Sequence, residues 1–477
     1  FFIRANSIPD FKSQIPVFAA DLYVITKYFP FGLTSQLYGP LSVLNFLEIA
    51  HLFISISTLS IFSLLLSYGF LLLANGLFNS LLGLRATLEG VNTSWLGFIM
   101  ASYFLGLLLG GLFAVRIITR VGHIRAFAVF ASLMSTTALL HPLFLEVSQW
   151  MLLRFISGFC MAGLIIVTES WLNEATPSHQ RGGVLSSYMM VNYMAAGCGQ
   201  FLLNLGDVGQ FQLFSLASII FSLALIPVLL TKQSAPTITT SSKLSFGLLS
   251  QVGPLAILGV FVAGASNASV HAFAPVYALE VFGDANLIPQ FTATLLISGL
   301  VLQWPLGRLS DKVGRGWLMM FVPLCISVSA LGVLWATYYG AEFIWFAVAC
   351  YGAFLFTLYS LAVALINDIV GPELRVKIAG AILIVYGLGA IIGPIIVGPL
   401  IDLMGVQALF IVSAVTSALL AALAVYRRVY QAIFVKPVQP FVAEPSNQYS
   451  SKELYLAAHQ QVDEQPTLNP NEDMTKP

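Results

Sequence analysis

The chain has 477 residues, 58% of them hydrophobic and only 9% charged, with a mean hydropathy of +0.88. Its 21 basic and 21 acidic residues cancel, so the electrostatic footprint of a nucleic-acid binder is missing. A water-surrounded globule cannot hide that much apolar surface, which places the protein in lipid.

Residues 1–56 come first. Arg4, Lys12, Lys27 and Glu48 interrupt them, and Pro9, Pro16, Pro30 and Pro40 punctuate them. A poorly ordered extension is expected, with 41–56 apolar enough to lie on a membrane surface. A spanning helix needs about 20 apolar residues. Charge-free runs follow at 49–84, 90–115 and 126–145, then at 147–168, broken only by Arg154, and at 182–206 and 208–231. The second series is 244–279, 285–307, 316–341, 343–367, 378–401 and 403–426. These predict twelve transmembrane helices, numbered 1 to 12, in an all-α membrane protein. Strands or open loops facing lipid would leave backbone groups unpaired. The tail from 430, with Pro437, Pro440, Pro445, Pro466, Pro470 and Pro477 among Glu, Gln, Asn and Asp, is predicted to be disordered.

Basic residues alternate between connections. With helix 1 leaving the cytoplasm, the inner side holds Arg116, Arg120, Arg125, Arg181, Lys232, Lys243, Arg308, Lys312, Arg315, Arg375, Lys377, Arg427, Arg428 and Lys436. The outer side holds Arg85 and a set of acids that includes Glu89, Glu146, Asp207, Glu280, Asp284, Glu342 and Asp402. This asymmetry puts both termini in the cytoplasm.

The chain also reads twice. "ITRVGHIR" at 118 matches "SDKVGRGW" at 310, a shift of 192, and "NEATPSHQRGG" at 173 matches "NDIVGPELRVK" at 367, a shift of 194. Gly106 and Gly299 fit the same register. Two six-helix bundles related by a parallel repeat are expected, at 57–231 and 250–429, with a polar Ser/Thr-rich linker at 232–249.

No Walker A, HExxH or nucleophile elbow is present. "GLGAIIG" at 387–393 lies in a spanning run and follows no strand, so it is not a dinucleotide fingerprint. Cys160, Cys198, Cys325 and Cys350 lack metal spacing and read as packing residues. No enzyme, cofactor or metal is expected.

Between helices 8 and 9, "GRLSDKVGRG" (307–316) concentrates four charges, and it resembles the Gly-x-x-x-Asp-[Arg/Lys]-x-Gly-[Arg/Lys] signature of the major facilitator superfamily. The Arg154-x-x-x-Gly158 pattern and "GLGAIIGPIIVGP" at 387–399 agree, and the resemblance covers residues 58 to 428. More narrowly, "RFISGFCMAG", "TESWLNE", "RVGHIRAF" and "HAFAPVYA" are similar to the YcaD-type bacterial branch. The resemblance implies a secondary transporter of the bacterial inner membrane, monomeric, moving a small organic solute by alternating access. Export, with proton coupling, leads; metabolite uptake and a transporter-like sensor without flux are the alternatives, which flux in reconstituted vesicles separates.

The resemblance also implies residue roles. Gly307 and Gly314 would let the 307–316 connection turn, and Asp311 would latch onto the start of helix 5 at Arg181, beside Lys312 and Arg315; simple anchoring by positive charge is the alternative. In the first copy Thr119 stands in place of Asp311 and Val115 in place of Gly307. That basic connection, with Arg116, Arg120 and Arg125, would pair across the bundles with Asp368 and Glu373, near Arg375, or attract anionic lipid. Glu169 and Glu174 would join Arg181 in a cytoplasmic gate. Helices 1, 4, 7 and 10 would line the cavity, offering Asn75 and Asn79, Arg154, Asn267 and His271, and Tyr351 and Tyr359; Asn192, Gln200, Gln303 and Trp304 would add to them. Polar groups inside a membrane are costly and form the functional shortlist. Arg154 could instead snorkel to headgroups or tie helices together, and the others could be packing or helix-bridging residues. Trp171 is expected at the membrane interface.

Overall fold

A computed structural model describes residues 56–176, 181–230, 252–370 and 372–431. The extension at 1–55, the linker at 232–249 and the tail from 432 lie outside these, as do the side chains of Arg181, Glu373 and Arg375.

The described residues form one long helix for each apolar run. They are α1 (Ile56–Leu88), α2 (Thr93–Val121), α3 (His123–Leu140), α4 (Val147–Ala175), α5 (Arg181–Phe201) and α6 (Gln212–Leu229). The second set is α7 (Pro254–Phe282), α8 (Leu287–Val313), α9 (Arg315–Tyr339), α10 (Ala341–Ile369), α11 (Pro372–Met404) and α12 (Ala408–Gln431). Eleven are long and apolar enough to cross a membrane. The exception, α5, carries Asn192 and Gln200, both buried. It packs against α1 and α8, so its polar positions face protein. Large apolar side chains such as Phe62, Leu152, Phe346 and Leu419 stay exposed around the periphery, as lipid contact requires.

The repeat is visible in backbone geometry. Gly122 ends α2 and Gly314 ends α8, with φ of 88° and 97°, and each donates its N–H to the carbonyl four residues back, Ile118 or Ser310. Positive φ there favours glycine over any residue with a Cβ. Each glycine is followed by a buried side chain, His123 in the first copy and Arg315 in the second. The most enclosed spans, α4 and α10, are repeat mates.

The 307–316 stretch is less of a loop than its charges suggest. Residues up to Val313 continue α8, leaving Gly314 alone as the turn. Gly307 is therefore a buried helical residue rather than a turn residue; Ser310 Oγ donates to its carbonyl at 2.7 Å. Glu169 and Glu174 likewise lie within α4, and Glu373 and Arg375 within α11. Charge marks where helices leave the apolar layer, not where they stop.

Candidate functional site

The two bundles, α1–α6 and α7–α12, meet along α2–α11, α5–α8 and α1–α7. Between them, α1, α5, α7 and α8 enclose a narrow cavity of about 20 Å³, room for a single water. Its lining mixes polar residues, Asn79, Ser80, Gln200, His271 and Thr292, with apolar ones, Val270, Ala274, Pro275, Leu295 and Leu296. Ser80 Oγ and Thr292 Oγ1 both donate to Gln200 Oε1, at 2.5 and 3.2 Å, so the second of these bonds crosses between bundles. The Gln200 amide is fixed by donating to the Gly76 carbonyl at 3.1 Å. His271 Nε2 is buried and makes no hydrogen bond. Pro275 inside α7 lacks the N–H that would bond the His271 carbonyl.

Arg154 stands directly behind this lining. It is 2% exposed, so it does not snorkel to the headgroups. Its Nη2 donates to Asn79 Oδ1 at 2.7 Å, and its guanidinium lies 4.2 Å from the Tyr103 ring centre and 5.7 Å from that of Phe78. Stacking between aromatic faces suits a planar, weakly hydrated cation in a dry site.

Other shortlisted residues are placed elsewhere. Asn75 is buried in α1. Asn267 Nδ2 donates to Tyr386 Oη at 3.3 Å, and Tyr359 packs edge-on to Tyr386 at 5.0 Å. Tyr351 donates to Ser413 Oγ at 2.7 Å within its own bundle, and Gln303 Nε2 donates to Ser360 Oγ at 3.1 Å. Trp304 is 63% exposed, with Arg308 over its ring, and faces the periphery. Trp171 is fully buried beside His123, close to the end of α4.

A second polar cluster lies deeper in the first bundle. Tyr188 Oη donates to Glu169 Oε1 at 2.6 Å, the Tyr188 ring stacks on Tyr68 at 4.4 Å, and Asn192 Nδ2 donates to Tyr68 Oη at 2.5 Å. Glu169 is 1% exposed, whereas Glu174 one face round is exposed. Tyr188→Phe removes a donor from a buried carboxylate and is expected to cost about 1–3 kcal/mol. The readout is the melting temperature of the purified protein; an unchanged value would show that this bond contributes nothing.

The inner-connection charges form a third cluster. Arg315 Nη1 donates to Asp368 Oδ1 at 2.7 Å and to the Ala364 carbonyl at 2.5 Å, and Nη2 lies 3.5 Å from Asp311 Oδ1. The expected pairing of Asp368 with Arg116, Arg120 and Arg125 is replaced by this pair within its own bundle. Those three arginines and Lys312 are exposed, while a desolvated carboxylate needs a cation at contact distance. The partners expected at Arg181, Glu373 and Arg375 fall outside the described side chains.

The largest surprise is Asp402, at the end of α11. One carboxylate oxygen accepts from Thr93 N–H at 2.9 Å and Thr93 Oγ1 at 2.6 Å; the other accepts from Ser94 N–H at 2.9 Å and from the Ser94 hydroxyl. Thr93 and Ser94 open α2, whose own cap, Asn92, takes the next amide, that of Trp95. The first amides of a helix have no partner within it. Here the other bundle supplies that partner. Close approach reinforces the contact: a Cβ at Gly97 would strike the Pro394 carbonyl, and one at Gly398 the Thr93 carbonyl. Sequence reading missed Asp402, Tyr68, Tyr103, Tyr188 and Tyr386. Asp402 read as one of several outer-loop acids, and the tyrosines carried no spacing that set them apart from packing residues.

The chain matches the sequence profile of the Major Facilitator Superfamily over residues 64–390 and again over 291–454. The Uncharacterized MFS-type transporter YcaD of Salmonella typhi is 29% identical over 366 residues, which cover 76% of this chain and 94% of that relative. Its Escherichia fergusonii counterpart is 29% identical over 367 residues, with the same coverage. Among solved structures, the nucleoside transporter NupG superposes with a TM-score of 0.67 at 12% identity, covering 78% of this chain and 99% of that one. A bacterial homolog of the human lysosomal transporter Spinster superposes with a TM-score of 0.60 at 14% identity, covering 77% of this chain and 96% of that one.

Proposed function

Because the chain belongs to the major facilitator superfamily, we propose that this multi-pass membrane protein is a secondary transporter that exports a small organic solute by alternating access. The observation that carries the reading is the cavity between the bundles together with the seam beside it. Asp402–Thr93/Ser94 and Gln200–Thr292 join the bundles toward one end, so that end is the closed gate of a cycle in which the other end opens. The end bearing Arg116, Arg120, Arg125, Arg308 and Lys312 is assigned to the cytoplasm of the bacterial inner membrane, and Asp402 to the outside. The state described is therefore closed outward.

Glu169 supplies the buried acid for proton coupling. It faces the phenols of Tyr188 and, through the stack, Tyr68. Proteoliposomes test the whole reading. Internal unlabelled solute should drive counterflow of labelled solute, and an imposed pH gradient should drive net flux. Glu169→Gln is expected to keep the counterflow and lose the response to the gradient. Binding without counterflow would favour the sensor reading, and gradient-driven flux inward from the Asp402 side would favour uptake.

A further inference from the structure

We propose that the inter-bundle cavity selects a small organic anion, a monocarboxylate with a compact apolar body, and that Arg154 sets the preference from behind Asn79. The inference rests on the transporter reading only for the route by which the solute reaches the cavity.

The walls define an amphipathic guest. Val270, Leu295 and Leu296 offer apolar surface alongside the polar groups of Asn79, Ser80, Gln200, His271 and Thr292. Charge defines its sign. No Asp or Glu lines the cavity among the described residues. The Arg154 guanidinium is one hydrogen bond behind the wall, and an arginine stays protonated in such surroundings. Its bundle's buried acid, Glu169, lies fifteen residues along α4, roughly 22 Å away. At that distance it does not cancel the field at the cavity. Asp402 is committed to the start of α2.

Donor orientation agrees. Asn79 turns its Oδ1 to Arg154, which leaves the amide N–H₂ as its group for a guest. His271 Nε2 is buried there with no hydrogen bond. Thr292 Oγ1 lies 3.2 Å from Gln200 Oε1 across the seam and 2.9 Å from the Ile288 carbonyl of its own helix, which keeps its proton when the bundles part. The Asn79 amide and a positive field then meet in a cavity that also carries apolar side chains. The present volume admits about one water, so the guest enters only as the bundles separate.

Titration calorimetry on the purified full chain at pH 7.5 tests this with benzoate, hexanoate, benzamide and benzylamine. At least one carboxylate is expected to bind tenfold or more tightly than benzamide, with benzylamine weakest. Arg154→Gln should bring the carboxylate to the level of the amide, and Arg154→Lys should restore part of the difference. If Arg154→Gln fails to fold, Asn79→Asp gives the same readout, because its carboxylate neutralises Arg154 in place; anion preference should vanish while the melting temperature holds. Equal or tighter binding of the amide or amine by the wild type, no binding by either carboxylate, or retained preference in Asn79→Asp would each overturn the proposal. Selective binding without counterflow would sink the transport reading alone. Counterflow that shows no anion preference would sink this one alone.

Discussion

Asp402→Ala raises the rate at which a membrane-impermeant maleimide labels a cysteine at Thr292 from the outside of intact cells. The background for this measurement lacks Cys160, Cys198, Cys325 and Cys350. Thr292 lines the cavity and is 4% exposed, so its labelling reports opening at the Asp402 end. Asp402 performs the role of an N-terminal cap on α2, but from the other bundle. Such caps stabilise by about 1–2 kcal/mol when the carboxylate is partly exposed to water. The stabilisation belongs to the closed gate alone, because separation of the bundles breaks it. The labelling rate should therefore rise roughly 5- to 30-fold, and Asp402→Asn should fall between. The close packing of Gly97 and Gly398 remains in the variant, which is why full opening is not expected. An unchanged rate would mean that the carboxylate binds the helix start without holding the gate.

Arg315→Ala has the larger effect on stability. Asp368 beside it has a side chain only 1% exposed, and removing the cation takes the 2.7 Å ion-pair partner from that carboxylate and a donor from the Ala364 carbonyl. Breaking such a pair costs about 3–5 kcal/mol, whereas replacing both partners with apolar residues is often neutral. Arg315→Ala and Asp368→Asn should each lower the melting temperature sharply, and the double variant Arg315→Met with Asp368→Leu should recover most of it. The same comparison separates an anchor within one bundle from a latch between bundles. A latch would shift labelling at Thr292 in the double variant; an anchor would leave it unchanged.

Helix number was legible because lipid imposes a simple rule: about twenty uncharged residues cross. The shifts of 192 and 194 residues were legible because the turn glycines and the buried residues after them recur. Arg154 and Asn79 stood out in the sequence because polar groups are rare in such a chain. What was not legible depends on partners distant in sequence. Asp402 meets Thr93 across 309 positions, and nothing local distinguishes it from Asp207 or Asp284. Arg315 looked like a surface anchor beside exposed Lys312, yet it turns inward because Asp368 waits on α10. Trp304 and Gln303 are adjacent and go opposite ways, one to the periphery and one to Ser360, because helical neighbours point about 100° apart.

Two pairs of spin labels in the cysteine-free protein test the rocking of one bundle against the other most directly. One pair, Leu88 with Leu403, spans the Asp402 end; the other, Val121 with Val313, spans the opposite end; all four are exposed on different bundles' helix termini. Pulsed dipolar spectroscopy should find two distances for each pair. In Asp402→Ala the longer Leu88–Leu403 distance should gain population as the longer Val121–Val313 distance loses it. Single distances at both ends, or populations that rise and fall together, would contradict alternating exposure of the cavity.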